Sequence, residues 1–293
     1  VQFTKEIQRT TVQGSLLTLK VEGLLGGHSG QDIDKERQNA DLLMARMIQR
    51  LLKETKGQLV SFNGGTKDNA IPRECEASLI YESDEEAAKA EELACELAET
   101  YAEELTPAEP DFSCEISCET NRTAEAIPQD AAKEFICAMR LAPNGIQKRN
   151  IKMDGFVVVS LNLGVVRTEE DRIVMIFSPR SSVASLQEDT EERLNTLAET
   201  FGFTVSHSSE YPGWSFKEDS PVREICKESY KELFGEDLKI EAIHAGLECG
   251  LFSDAIKGLD AIAIGPTIAN CHTPDEYLTL DSFERFYEFL KDI

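Results

Sequence analysis

The chain contains four histidines, His28, His207, His244 and His272. Imidazole suits both proton transfer near neutral pH and zinc binding. His272 stands in the run GPTIANCHTPDE at 265–276, after a short apolar stretch. Loops beyond strand ends are where α/β proteins place ligands. Asp275 and Glu276 are near enough in sequence to orient an imidazole as supporting carboxylates. One histidine cannot hold zinc, which needs three or four ligands, and no HExxH or His-rich tract supplies the rest. The spacing alone therefore leaves His272 open between a metal ligand and a loop histidine among surface acids.

His28 stands in GGHSG, whose glycines let a backbone approach a ligand closely. A serine-hydrolase elbow is excluded, because GxSxG needs glycine two residues after the serine and Gln31 is there. A plain tight turn remains the alternative. His244 opens HAGLECG, where Gly246 and Gly250 favour a loop or a loose helix start; a pocket-lining loop and a structural turn are both open. His207 reads as structural. Asn69 and Arg73 lie in NGGTKDNAIPRE, a polar turn entering a strand. Arg180, in FSPRSS, ends a strand, where a fixed guanidinium would suit a carboxylate. Taken singly, Asn69, Arg73 and Arg180 read more readily as surface-turn residues.

The elements that must position these residues follow from periodicity. Leu17, Leu19 and Val21 alternate in a half-buried strand over 15–22. Ala40, Met44, Met47, Ile48, Leu51 and Leu52 share one face of a helix over 39–54. A strand and turn at 57–65 and a second strand at 71–81 follow. Residues 84–105 form a long helix with an acidic outer face, and 112–118 alternate again. This β-α-β-β-α-β order is that of a split βαβ sandwich. The order then partly repeats, with a helix at 129–141, strands at 155–164 and 172–178, a helix at 184–201 and a strand at 203–207. The repeat predicts two related layers of one α+β unit. YPGW at 211–214 reads as a linker. Beyond it, helices at 220–235 and 281–292 with short apolar strands at 240–243 and 261–264 give an α/β texture.

Composition narrows the function. The chain has 293 residues, 41% of them hydrophobic, enough for a sizeable core. Its 30 Lys and Arg against 54 Asp and Glu leave a net charge of −24, which repels phosphate backbones and argues against nucleic acid. No apolar run approaches the roughly 20 residues of a membrane helix, so no membrane partner is expected. The eight cysteines form no CxxC pair and read as reduced thiols, which fits a cytoplasmic location.

GLLGGHSG before a helix containing Asn39-Ala40, then NGGTKDNAIPRE, HAGLECGLF and GPTIANCHTPDE before a closing helix, together resemble the aminoacyl-histidine dipeptidases, Xaa-His enzymes of the di-zinc peptidase family. The resemblance runs in order along essentially the whole chain. It implies an α+β lid domain with split-βαβ, ferredoxin-like layers over 1–210, and the C-terminal part of an α/β zinc-peptidase catalytic domain over 211–293. The N-terminal catalytic segment, with most metal ligands and the general base, has no match. The start at Val1 rather than Met is what a piece of a longer protein would show.

By the same resemblance, His272 corresponds to a zinc ligand and His28 to the lid histidine that stabilises an oxyanion. Arg180 corresponds to the arginine holding the substrate carboxylate. Asn69 corresponds to a lid asparagine near the substrate, and Gly246 to the pocket-lining loop. The complete enzyme would use two zinc ions to cleave carnosine-like dipeptides; this chain alone would be inactive, and a homodimer through the lid is compatible. Other reactions of the family (deacylase, desuccinylase, tripeptidase) and a non-catalytic lid-like assembly or binding module are the alternatives. A catalytic portion lacking strands would expose apolar surface.

Overall fold

The computed structural model describes residues 1–151, 155–208, 214, 217, 219–240, 248–269 and 276–293. They fall into two compact units, Val1–Glu210 and Tyr211–Ile293.

The first unit is one antiparallel sheet under a layer of helices. In chain order it comprises β1 (Gln2–Glu6), β2 (Thr10–Glu22), β3 (Gly27–His28), α1 (Ala40–Glu54), β4 (Gln58–Gly64), β5 (Ala70–Ile71) and β6 (Cys75–Tyr81). Then follow α2 (Asp84–Leu105), β7 (Ser113–Ala126), α3 (Gln129–Leu141), β8 (Gly145–Asn150), β9 (Phe156–Thr168), β10 (Arg172–Ser181), α4 (Ala184–Thr200) and β11 (Thr204–Ser206). Asn39 caps α1, its side chain accepting from the amides of Asp41 and Leu42. Leu43, Met44, Met47, Ile48 and Leu51 recur at helical spacing and are buried on the sheet. Ser83 caps α2, and Asp84, Glu85 and Glu86 place negative charge where the helix dipole favours it. The small residues Ala87, Ala90 and Ala94 are the buried face of that helix.

The main sheet runs β11-β1-β10-β9-β4-β6-β2-β7, with β8 also pairing β9. Two β-α-β-β-α-β halves are legible in it. β2-α1-β4-β6-α2-β7 places its strands in the spatial order second, third, first, fourth. β1-α3-β9-β10-α4-β11 repeats that order, with the other half inserted after its first strand. The halves meet edge to edge through their second strands, where Gly64 of β4 pairs Val166 of β9.

One backbone pair is a thin seam, and side chains complete it. Phe62 N donates to Thr168 Oγ1 at 2.9 Å, and Thr168 N donates to Asn63 Oδ1 at 3.2 Å. The Arg167 guanidinium donates to the carbonyls of Gly64, Gly65 and Val166. Arg9 donates to Val60 and Glu125 in one half and to Glu169 and Glu170 in the other. A Cβ on Gly65 would lie 1.9 Å from the Gly164 carbonyl oxygen, so the close approach admits only glycine.

The two halves are therefore not stacked layers, as the repeat suggests, but neighbours sharing one sheet and one helical layer. The strand expected over 71–81 is broken after Ile71, because Pro72 offers no amide to a ladder. Ile71 joins β3 in a separate two-stranded ribbon, and β6 begins at Cys75. Strands β1 and β8 carry no strong alternation, so periodicity does not mark them.

The second unit contains α5 (Pro221–Phe234), α6 (Glu248–Ala255), a ribbon of β12 (Ile268–Ala269) with β13 (Tyr277–Leu278), and α7 (Leu280–Asp292). Ser220 caps α5, and Pro221 sits in its first turn. Tyr230 of α5 meets Phe289 of α7 edge-on at 5.4 Å, and Ser229 Oγ donates to Asp292 Oδ2 at 2.7 Å. The apolar run 261–264 is not a strand: among the described residues it has no ladder partner, and an apolar run alone does not make one. Of the strand expected at 240–243, only Ile240 lies within the described residues, and it is not in a strand. No helix among the described residues is long and apolar enough to cross a membrane.

Candidate functional site

The ribbon of β3 and β5 carries His28. Gly27 pairs Ile71 and His28 pairs Ala70, and Ser29 N donates to the Asn69 carbonyl at 2.9 Å. Ile71 anchors the ribbon in a small apolar cluster with Ile33 and Val157. His28 and Asn69, far apart in sequence, are thereby neighbours across the ribbon.

Strands β9 and β10 supply the floor. Arg180 pairs Ser160 and Ser178 pairs Asn162, so these four residues share one sheet face. The alternate residues Leu161, Leu163 and Phe177 belong to the core on the other face. Asn162 is 1% exposed; its Nδ2 donates to the carbonyls of Asp68 at 3.2 Å and Ala70 at 2.8 Å. It therefore grips the turn on both sides of Asn69. Its Oδ1 is buried and has no hydrogen-bond partner among the described residues.

Arg180 Nε approaches Ser29 Oγ at 3.4 Å, and Ser29 is itself buried. Burial pushes the Arg180 guanidinium below its usual range, and the Asp68 carboxylate opposes that shift. An arginine keeps its proton through such a shift, so a partly desolvated cation faces this corner. Ser29, next to His28 in the chain, is thus held by the Asn69 backbone carbonyl and approached by the Arg180 side chain. Gly246 and His272, and with them His244, lie outside the described residues.

Three supporting residues were not singled out from the sequence. Glu109, 3% exposed, accepts from Leu25 N at 2.7 Å and from Gln38 N at 2.9 Å, closing the base of the loop that bears His28. Asn162 grips the Asn69 turn. Asp32, four residues after His28, accepts from His28 N at 2.8 Å and returns a backbone bond to the His28 carbonyl at 2.9 Å. Only Asp32 offers a local signal, a short acid closing a Gly-rich turn. Arg73, in the polar turn after Asn69, donates from Nε to the Leu24 carbonyl at 2.9 Å. His207 lies beside Asn195 and Glu191 on α4, consistent with a structural role. Among the described residues, no group of three or more His, Cys, Asp and Glu side chains could hold a metal ion.

The Arg180 guanidinium brings a partly desolvated cation to this corner, a group suited to binding an anion. Residues 19–110, most of the inserted half, match a peptidase dimerisation domain. Residues 65–293 match peptidase family M20/M25/M40, and the chain belongs to that family. It is 32% identical over 301 residues to the cytosol non-specific dipeptidase of Escherichia coli (strain K12), covering 100% of this chain and 61% of the relative. Among solved structures it resembles the aminoacylhistidine dipeptidase of Vibrio alginolyticus, with a TM-score of 0.88 and 33% identity over 99% of this chain and 59% of that one. The chain thus spans about three fifths of the length of both relatives.

Proposed function

We propose that this chain is the lid (1–210) and the C-terminal catalytic portion (211–293) of a zinc-dependent dipeptidase. The complete protein would hydrolyse small dipeptides of the Xaa-His type. Family membership and the dipeptidase names of the two relatives support the reading. The observation that carries it is that three separate segments meet at the buried Ser29, next to His28 in the chain, with the Asn69 carbonyl on its amide and the Arg180 guanidinium at its hydroxyl.

In this reading His28 donates to the oxyanion of the tetrahedral intermediate. Arg180 receives the free carboxylate of the dipeptide; its partial desolvation strengthens that pairing. Asn69 contacts the substrate backbone, and Gly246 lines the pocket. His272 is proposed as one zinc ligand of the complete protein. The described residues do not fit a metal site by themselves, so the roles assigned are those of this chain's own side chains. A homodimer through the lid is supported by the dimerisation-domain match, and the cytosol by the name of the Escherichia coli relative.

The test is zinc content and dipeptide hydrolysis, measured in parallel on this chain and on the full-length protein. The expected result is about two zinc ions and Xaa-His cleavage in the longer protein only. Within it, Arg180→Ala should raise KM for dipeptides more than for carboxyl-amidated analogues. Metal-dependent carnosine hydrolysis by the 293-residue chain itself would overturn the division proposed. A full-length protein that prefers acylated or succinylated substrates would shift the reading to another reaction of the family.

A further inference from the structure

The His28 ring is held through Nδ1. Gly30 N and Gln31 N both donate to it, each at 3.1 Å. A nitrogen that accepts two N–H groups carries no proton of its own, so the neutral ring must bear its proton on Nε2. The bonds depend on the turn that folds residues 30 and 31 back over the ring. Asp32 closes that turn from both ends, with its Oδ2 accepting from His28 N and its own amide donating to the His28 carbonyl.

Asp32 is itself braced. Lys35 Nζ reaches its Oδ1 at 2.6 Å. Burial pushes the Asp32 carboxyl upward, but the Lys35 and His28 hydrogen bonds and the Lys35 and Arg37 charges outweigh burial and hold it below the usual carboxylate range. Gly27, at φ +135, lets the chain enter the turn; a Cβ there would lie 2.7 Å from both Asp32 Oδ2 and the Arg37 guanidinium. Glu109 fixes the loop at its base, leaving Asp32 to set its inner geometry.

We infer that Asp32 is a positioning residue that, through the amides of Gly30 and Gln31, locks His28 as the Nε2–H tautomer. The ring is thereby a hydrogen-bond donor at Nε2 and not a base there. For its chemical consequence, donation to an oxyanion, the inference rests on the function proposed above. The tautomer itself is a property of this chain and can be read without activity.

The experiment is long-range ¹H–¹⁵N correlation NMR on the ¹⁵N-labelled 293-residue chain at neutral pH, with the His28 ring identified by its loss in His28→Gln. The coupling pattern separates Nδ1 from Nε2, and the nitrogen shifts show which is protonated. The expected spectrum has an unprotonated Nδ1 and a protonated Nε2. Asp32→Ala should move the Nδ1 resonance toward the average of the two tautomers, and Asp32→Asn, which keeps an acceptor for the His28 amide, should restore it. A protonated or averaged Nδ1 in the wild type overturns the inference, as does an Asp32→Ala spectrum identical to wild type. If Asp32→Ala does not fold, an acid titration of the wild type decides. The His28 amide resonance should follow protonation of Asp32, and an amide that does not follow it overturns the role of Asp32. A locked tautomer in a full-length protein that cleaves no dipeptide would refute the proposed function and leave this inference standing.

Discussion

Helices α1 and α7 have similar lengths and equally clear apolar faces, yet they end in opposite environments. α1 lies in the first unit with Met44, Ala45, Met47, Ile48 and Leu51 all at 0% exposure. α7 lies in the second unit and buries Phe289, while Leu280 at 75%, Tyr287 at 54% and Leu290 at 49% remain exposed. The difference is the surface available to each. α1 rests on a wide sheet whose inner face is apolar, whereas the only sheet in the described part of the second unit is a ribbon of two-residue strands. An amphipathic stripe specifies a helix; its burial requires a second layer.

The largest expected effect tests that contrast directly. Leu51→Ala in α1 should cost about 2–5 kcal/mol, as filled core positions do. Leu290→Ala in α7 should stay within about 0.5 kcal/mol. Urea unfolding of both variants measures this, and equal losses would show that α7 is covered in solution and break the comparison.

A second prediction concerns charge inside the denser unit. Asp41, in the first turn of α1, is completely buried, and among the described residues neither carboxyl oxygen has a hydrogen-bond partner of good geometry. Burial pushes its pKa up to about 8, against the opposing influence of the Cys75 thiol and the Arg167 charge. The helix dipole favours an anion there by only about 0.3–1 kcal/mol, too little to offset burial. The native state therefore keeps this proton to higher pH than the unfolded chain, where an aspartate titrates near ~3.9. The stability it contributes is complete below that value and is lost as pH rises toward about 8. Asp41→Asn should flatten this part of the pH dependence and raise the urea midpoint at about pH 8. An unchanged pH slope in the variant would refute it.

The smallest effect is expected at the rim of the same unit. Arg46 pairs Glu104 through two contacts, at 2.5 and 2.9 Å, and covers the buried Tyr101 ring at 4.4 Å. Both ionic partners are substantially exposed, so Arg46→Ala should cost under about 1 kcal/mol, less still in high salt. A loss as large as that of Leu51→Ala would mean that the guanidinium seals the core and that the core reaches further outward than the comparison assumes.

Much of this molecule was legible in its residues. Periodicity located α1, α2 and α3 to within a residue, because each carries an apolar stripe and α1 and α2 also begin at a capping side chain. The ordered motifs around His28, Asn69, Gly246 and His272 pointed to the peptidase family that the chain belongs to. What only the tertiary structure decided is every contact made across long separation. Arg180 reaches Ser29 across 151 residues, and Glu109 reaches Leu25 across 84. The nesting of one half inside the other depends on a single Gly64–Val166 pair and the side chains around it. Run 261–264 has the composition of a strand but no strand partner among the described residues. The physical reason is common to all of these. Helix and strand tendencies are carried by neighbouring residues, whereas strand partners, the grip of Asn162 on the Asn69 turn and the gathering around Ser29 arise only when distant segments pack together.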